Sequence, residues 1–156
     1  MEIVSVLPME VVFSHGTVIE SIVGRFLAPS HRGGTLTPEN FNANPRFADF
    51  LHEVIARHGP DEPDLIEEAR RQGTGKVHVI DGRTPTPAGG IPAADILGSF
   101  GVEAGVLVAG SYERNPNHTV LSASGFFRLS QTLHERLAAE LVRRTVQWAK
   151  SKQTRR

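Results

Sequence analysis

The residues best suited to chemistry lie around the end of one short apolar run. His78, Asp81 and Arg83 span the junction between that run, residues 76–80, and a loop rich in proline and glycine, residues 81–92. A histidine and an aspartate can act as an acid–base pair, and the planar guanidinium of arginine suits a carboxylate or a phosphate. The same side chains also serve structure, since Asp-Gly is a common turn pair and arginine can bind loop carbonyls. Both interpretations remain open from the sequence.

A second group of polar side chains surrounds the proline at position 116. Asn115, Asn117 and His118 place two amides and an imidazole on one rigid turn. If this turn lies beside residues 81–92, the two segments would form the rim of a ligand site in which Arg83 holds an anionic group. The alternative is that the asparagine side chains bind their own backbone, as they often do in turns.

Several chemistries are excluded or disfavoured by residue type and spacing. The chain has no cysteine, and its seven histidines form no recognisable metal motif. Residues 73–76 resemble part of a phosphate loop, but the Walker spacing fails and a strand follows instead of a helix. No nucleophile elbow of the G-x-S-x-G type is present. We therefore predict no metal site and no cofactor.

Composition places the chain among ordinary globular proteins. Its 156 residues are 39% hydrophobic and 22% charged, and 17 basic residues balance 17 acidic ones. A neutral balance makes a general nucleic-acid-binding surface improbable, although the C-terminal end is basic and residues 61–68 are acidic. The absence of cysteine, of a secretory signal and of a long apolar run predicts a soluble cytoplasmic protein without a membrane segment.

The elements that must position these side chains follow from periodicity and from helix-terminal residues. No internal repeat is apparent. The pattern predicts one strand or two short ones over residues 3–13, interrupted by a proline, and residues 17–27 have helical spacing but also suit a strand. A helix over 45–58, capped by Asn44, has an apolar stripe at positions 47, 50, 51, 54 and 55, and an acidic helix over about 63–72 should turn positions 65, 66 and 69 inward. A strand is predicted over 76–80, a hairpin of strands over 96–103 and 106–112, short strands over 118–121 and 126–129, and a last helix from the cap Ser130 to about residue 150.

These elements predict an α+β fold with an antiparallel or mixed sheet and two or three main helices packed on one face. We expect a single domain over residues 1–150 and a frayed basic tail over residues 151–156. Trp148 and Leu141 lie on the last helix, where we expect them to contribute to a homodimer interface, because tryptophan is enriched at interface hot spots.

No pattern in the sequence identifies a reaction. The favoured hypothesis is a non-catalytic binding or interaction protein whose partner is another protein or a small polar ligand. The first alternative is a small metal-independent enzyme that uses His78 or His118 with Asp81 and Arg83. The second is a nucleic-acid accessory protein that acts through its basic C-terminal end.

Overall fold

The computed structural model describes residues 2–27, 38–84 and 91–154. The chain divides into two compact units: unit 1 comprises residues 1–51 and 135–156, and unit 2 comprises residues 52–134. The strands are β1 (Glu2–Ser5), β2 (Ile22–Phe26), β3 (Phe41–Ala43), β4 (Gly75–Ile80), β5 (Ile96–Glu103), β6 (Val106–Leu107), β7 (Glu113–Arg114), β8 (Leu121–Ser122) and β9 (Gly125–Phe126), and the helices are α1 (Met9–His15), α2 (Pro45–His58), α3 (Pro63–Gln72) and α4 (Gln131–Thr154). Three main helices and antiparallel strand pairs confirm the predicted α+β class.

Unit 1 contains a three-stranded antiparallel sheet in the order β1-β2-β3. Its core is formed by apolar residues of β2, α2 and α4, including Val23, Phe26, Phe47 and Leu141, none of which is more than 4% exposed. The predicted core stripe of α2 is confirmed, since Phe50 and the residues after it at 51, 54 and 55 are also buried.

Unit 2 is built around the long strand β5, which pairs with β4 along one edge and with β6 and β7 along the other. The predicted hairpin between β5 and β6 is confirmed, although β6 ends at Leu107 and does not extend over the predicted residues 106–112. Its turn uses Ala104 and Gly105 with φ of 50° and 75°, the left-handed backbone that a two-residue hairpin turn requires. Val77, Leu97 and Phe100 are among its buried core residues.

Residues at the helix ends explain why three helices were predictable. Helix α2 spans the predicted residues, and the Oδ1 of Asn44 accepts a hydrogen bond from the Arg46 amide at 3.2 Å. Helix α3 ends at Gly73, whose φ of 83° suits glycine. The hydroxyl of Ser130 accepts from the Leu133 amide at 3.3 Å and so caps α4.

Other predictions about elements were wrong. Residues 9–15 form α1 instead of continuing a strand. Of the two alternatives left open for residues 17–27, residues 22–26 take the strand, β2. Ile66, expected to face inward, is 38% exposed. Helix α4 continues to Thr154, four residues past the expected end. None of the helices within the described residues is both long and apolar enough to cross a membrane.

An internal repeat, which the sequence analysis missed, relates the sheets of the two units. In unit 1, Asn44 follows β3 and its Nδ2 donates to the carbonyls of Ile19 and Ile22 at 2.9 and 2.8 Å. The Asn44 amide donates to the Val23 carbonyl at 2.9 Å. One asparagine thus holds the turn before β2 and the start of β2 itself.

The same hydrogen bonds recur in unit 2. Asn115 follows β7, and its Nδ2 donates to the carbonyls of Ala93 and Ile96 at 2.9 and 2.8 Å. The Asn115 amide donates to the Leu97 carbonyl at 3.0 Å. Because three bonds with the same relative positions recur, β1-β2-β3 and β4-β5-β7 are two copies of one backbone frame.

Short sequence patterns accompany the repeated frame. The central strands read IVGRF at residues 22–26 and ILGSF at residues 96–100, and the segments around the asparagines read FNANP at 41–45 and YERNP at 112–116. A Cβ at Gly24 or Gly98 would overlap the ring of Phe41 or Tyr112 respectively. Both copies therefore need glycine where an aromatic ring crosses the central strand.

Candidate functional site

Three predicted site residues, Asp81, Arg83 and His118, lie together in a buried cluster of unit 2. Their side chains are at most 2% exposed. The Nε of Arg83 and the Nε2 of His118 lie 3.5 and 2.9 Å from the same Oδ2 of Asp81. Asp95, which the sequence analysis missed, completes the cluster. An aspartate between a loop and a strand carries no local signal, so only the fold reveals its place. We call these four residues the polar clamp.

Arg83 is fully engaged within unit 2. Its Nε donates to Oδ1 of Asp95 at 2.8 Å, its Nη1 to the carbonyl of Thr119 at 2.7 Å, and its Nη2 to the carbonyl of Ala94 at 2.8 Å. A weaker bond of 3.3 Å joins Nη1 to the Gly125 carbonyl. All three guanidinium nitrogens donate inside the protein, so the expectation that Arg83 holds an anionic ligand is not supported by its surroundings.

Asp81 connects three segments of the chain. Its Oδ1 accepts hydrogen bonds from the backbone amides of Arg83 and Arg128 at 3.1 and 2.8 Å. Its Oδ2 is hydrogen-bonded to Nε2 of His118 at 2.9 Å. Its carboxylate therefore holds the turn after β4, the turn after β7 and the segment before α4 in fixed positions.

The pKa of Asp95 reflects both its burial and its partners. Burial opposes ionisation, but hydrogen bonds from Thr84 and Arg83, with the positive charge of Arg83, hold the pKa of this carboxyl below its usual value. The carboxylate is therefore charged at neutral pH and balances the charge of Arg83 inside unit 2.

A histidine and a tyrosine lie beside the clamp. The Nδ1 of His52 is 2.7 Å from the hydroxyl of Tyr112, and the rings of His52 and His118 meet edge to face with centroids 6.3 Å apart. Burial raises the pKa of the Tyr112 hydroxyl, so the phenol stays protonated at neutral pH. The sequence did not predict the contact between these two residues, because it joins segments far apart in the chain.

Comparison of the two copies explains why the clamp exists. Three residues after each asparagine, unit 1 has Phe47 and unit 2 has His118, and both amides donate to the carbonyl of that asparagine. In unit 1 the chain continues as α2, whose backbone groups bind one another. In unit 2 it continues as residues 118–128, a segment whose regular structure is limited to the short strand pair β8-β9. Its Thr119 carbonyl and Arg128 amide are bound by Arg83 and Asp81. The geometry of the clamp thus fits a structural role.

The other predicted site residues lie outside the clamp. His78 is exposed on β4 and, with Asn115, lines a groove of about 330 Å³ in unit 2 that also includes Ser99, Glu113 and Arg114. The side chain of Asn115 serves the backbone, since its Oδ1 accepts a hydrogen bond from the backbone amide of residue 117 at 3.0 Å. Of the predicted rim, residues 85–90 fall outside the described residues.

Asn117 itself contributes only its backbone amide to that bond. Its side chain is exposed on the turn.

A separate cleft of about 230 Å³ in unit 2 lies between α3, β4 and the start of α4. Leu65, Val79 and Leu129 contribute apolar walls, and Glu62, Asp64 and Glu68 contribute carboxylates. We call this feature the β4 cleft. The sequence indicated its acidic side through residues 61–68, but not the cavity.

The outer edge of β4 carries backbone groups that point away from β5. Gly101 pairs with Lys76 across the β4–β5 ladder. The amide of Gly101 donates to the Ser111 hydroxyl and its carbonyl accepts from the Val108 amide, both on the side away from β4. The backbone amide and carbonyl of Lys76 therefore point away from β5, and the carbonyl accepts a hydrogen bond from Nε2 of Gln72 at 2.9 Å. Because the backbone groups of successive residues point to alternate edges of a strand, the amide and carbonyl of His78, two residues after Lys76, also point outward into the β4 cleft. Within the described ranges no strand pairs with this edge.

The two predicted interface residues differ in exposure. Trp148 is 38% exposed and lines a groove of about 650 Å³ in unit 1, with Ile19, which is 50% exposed. Leu141 has no exposed surface, because it packs into the core of unit 1. The prediction that Leu141 lies at an interface is therefore wrong for the folded chain, and the prediction for Trp148 stays a prediction.

Within residues 2–27, 38–84 and 91–154, no three histidine, aspartate or glutamate side chains are grouped as metal ligands would be. The chain matches no protein-family model, no curated protein and no solved structure. Any functional conclusion therefore depends on the geometry of the clamp, the cleft and the exposed grooves.

Proposed function

We propose that this protein is a non-catalytic interaction module that binds an extended segment of a partner protein along the outer edge of β4. The observation that carries the proposal is the β4 cleft, where outward backbone groups of the strand meet an open cavity beside α3. An added strand would pair with those groups, and its side chains would alternate between the cleft and solvent.

The chemistry of the cleft favours a peptide over a small soluble metabolite. Its floor includes buried apolar residues such as Val77, Val79 and Leu133, which suit an aliphatic side chain. The backbone at His78 supplies a donor and an acceptor at the spacing of a strand. Carboxylates at one side add attraction for a positively charged segment, so we propose a basic, partly apolar partner.

The polar clamp gives less support to the enzyme alternative than the β4 cleft gives to peptide binding. Its candidate acid and base, His118 and Asp81, are bonded to each other and almost fully buried. Its candidate anion-binding group, Arg83, is bonded to loop carbonyls and to Asp95.

Because the sequence lacks cysteine, we place the interaction in a reducing compartment, the cytoplasm.

Selection from a random peptide library tests the proposal. Peptides recovered with the purified protein are synthesised and titrated against the isotope-labelled chain, and we expect the largest amide shifts at residues 76–80. Failure to recover any peptide, or shifts centred elsewhere, would contradict the proposal.

Two variants of one residue separate backbone pairing from side-chain contact. His78→Pro removes an outward amide without removing a bond to β5, whereas His78→Ala keeps that amide. We expect the selected peptide to bind His78→Pro about tenfold more weakly and His78→Ala nearly as well as the original chain. Equal effects of the two substitutions would show that strand pairing is not the basis of binding.

A further inference from the structure

We infer that the bound segment inserts a lysine or arginine side chain into the β4 cleft, where its charged end meets the carboxylate of Glu62. This inference rests on the proposed function and adds the chemistry by which one partner is chosen over another. It follows from the charge of one buried residue.

Glu62 is a buried acid of unit 2 that has no cationic partner among the described residues. It is 4% exposed, as buried as Asp81 and Asp95, which are 2% and 3% exposed. Those two aspartates share the guanidinium of Arg83. Within the described ranges, no lysine, arginine or histidine forms an ion pair with Glu62. Buried charges are normally paired, so a buried carboxylate that lines a cavity and is held by one neutral hydroxyl favours a cationic ligand.

Local structure explains how the unliganded protein tolerates this carboxylate. Glu62 precedes the first turn of α3, and its Oε2 accepts a hydrogen bond of 2.6 Å from the hydroxyl of Ser130, which caps α4. The positive ends of two helices and one hydroxyl therefore stabilise the negative charge. These groups are neutral overall, so they leave the attraction for a cation in place.

The shape of the cleft fits a long basic side chain. Leu65 and Leu133 line it beside Glu62, so the methylene groups of a lysine or arginine would lie against apolar walls while the charged end reaches the carboxylate. Asp64 and Glu68 also line the cleft and add to its negative potential. Glu68 is paired with Arg71 and Asp64 is exposed to solvent, so Glu62 is the buried acid of the cleft that remains to be matched.

Paired peptides test the inference in the original chain. The peptide selected for binding is compared with a version in which each basic residue in turn is replaced by norleucine, which keeps the aliphatic stem and removes the charge. We expect one position at which the replacement weakens binding at least about tenfold. Equal binding of all versions, with amide shifts still at residues 76–80, would overturn this inference and leave strand addition intact.

A variant assigns the effect to one carboxylate. Glu62→Gln keeps an acceptor for Ser130 and removes the charge, and Glu67→Gln removes an exposed acid of the same helix that does not line the cleft. We expect Glu62→Gln to abolish the preference for lysine over norleucine, and Glu67→Gln to preserve it. If Glu62→Gln does not fold, the side-chain carboxyl carbon resonance of Glu62 in the original chain, followed by NMR, should move when the lysine peptide binds and stay in place when the norleucine peptide is added. An unmoved resonance with the lysine peptide would refute the contact.

Discussion

Arg83 is the residue on which the fold of unit 2 depends most clearly. It neutralises two buried carboxylates and binds the carbonyls of Thr119 and Ala94. Arg83→Leu should lower the free energy of unfolding by roughly 3–5 kcal/mol, because it leaves Asp81 and Asp95 charged and buried without a cation. Urea unfolding at neutral pH measures the change.

A surface arginine provides the control for this experiment. Arg71 forms an ion pair with Glu68, but its side chain is 72% exposed. Arg71→Leu should change the free energy of unfolding by less than about 1 kcal/mol, since exposed pairs contribute little. Similar losses for both arginines would contradict the role assigned to the clamp.

The lowered pKa of Asp95 predicts how stability depends on pH. Because the folded pKa lies below the unfolded value of about 3.9, the ionised carboxylate stabilises the fold above that pH. This stabilisation is lost as the pH falls from about 4 through the folded pKa, where the unfolded chain binds more protons. Asp95→Asn should therefore reduce the slope of unfolding free energy against pH below about pH 4. An unchanged slope, measured by urea unfolding, would contradict the assignment.

The sequence predicted part of this residue-scale picture. The sequence places His78, Asp81 and Arg83 around the end of an apolar strand, and the last two do join His118 in the fold. The roles of Asp95 and Glu62 depend on contacts across many residues of chain, for which no local pattern exists. The role of Arg83 also differs from the sequence prediction. The sequence suggests a guanidinium that binds an anionic ligand, whereas in the fold its nitrogens donate hydrogen bonds to Asp95 and to backbone carbonyls.

At the scale of elements, Asn44 links α2 to the sheet of unit 1. It caps the helix through Oδ1 and holds the carbonyls of Ile19 and Ile22 through Nδ2. Asn44→Ala should cost about 2 kcal/mol, more than the roughly 1 kcal/mol of a cap alone, because it also removes the bonds to the β2 region. Asn42→Ala, on the exposed strand β3, should stay within about 0.5 kcal/mol in the same urea assay. Equal losses would show that the side-chain bonds of Asn44 contribute little.

The success of helix prediction and the ambiguity over residues 17–27 have the same physical origin. Helices α2, α3 and α4 are bounded by local signals, namely Asn44, Gly73 and Ser130. Residues 17–27 have apolar positions compatible with either helix or strand. The strand is selected by distant contacts, since Phe41 packs over Gly24 and would not tolerate a larger residue there.

For the whole molecule, the predicted homodimer now depends on Trp148 without Leu141. Its ring lies under Lys152, 4.0 Å from the charged nitrogen, and beside the exposed Ile19 of the same groove. We expect light scattering at micromolar concentration to give twice the 17.0 kDa of one chain. Trp148→Ala should weaken the dimer, because a large aromatic anchor is lost from its interface.

Val106→Ala supplies the comparison, since Val106 is 65% exposed in unit 2 and lies outside this groove. It should leave the measured mass unchanged. A monomeric mass for the original chain would remove the prediction.

The hydrogen-bond frame that occurs twice has a consequence for the origin of the chain. Two tandem segments with the same strand order, the same asparagine bonds and related central strands are what the fusion of two copies of one gene produces. The copy in unit 1 has phenylalanine at position 47 and continues into a helix. The copy in unit 2 has histidine at position 118 and continues into a segment that charged side chains hold in place.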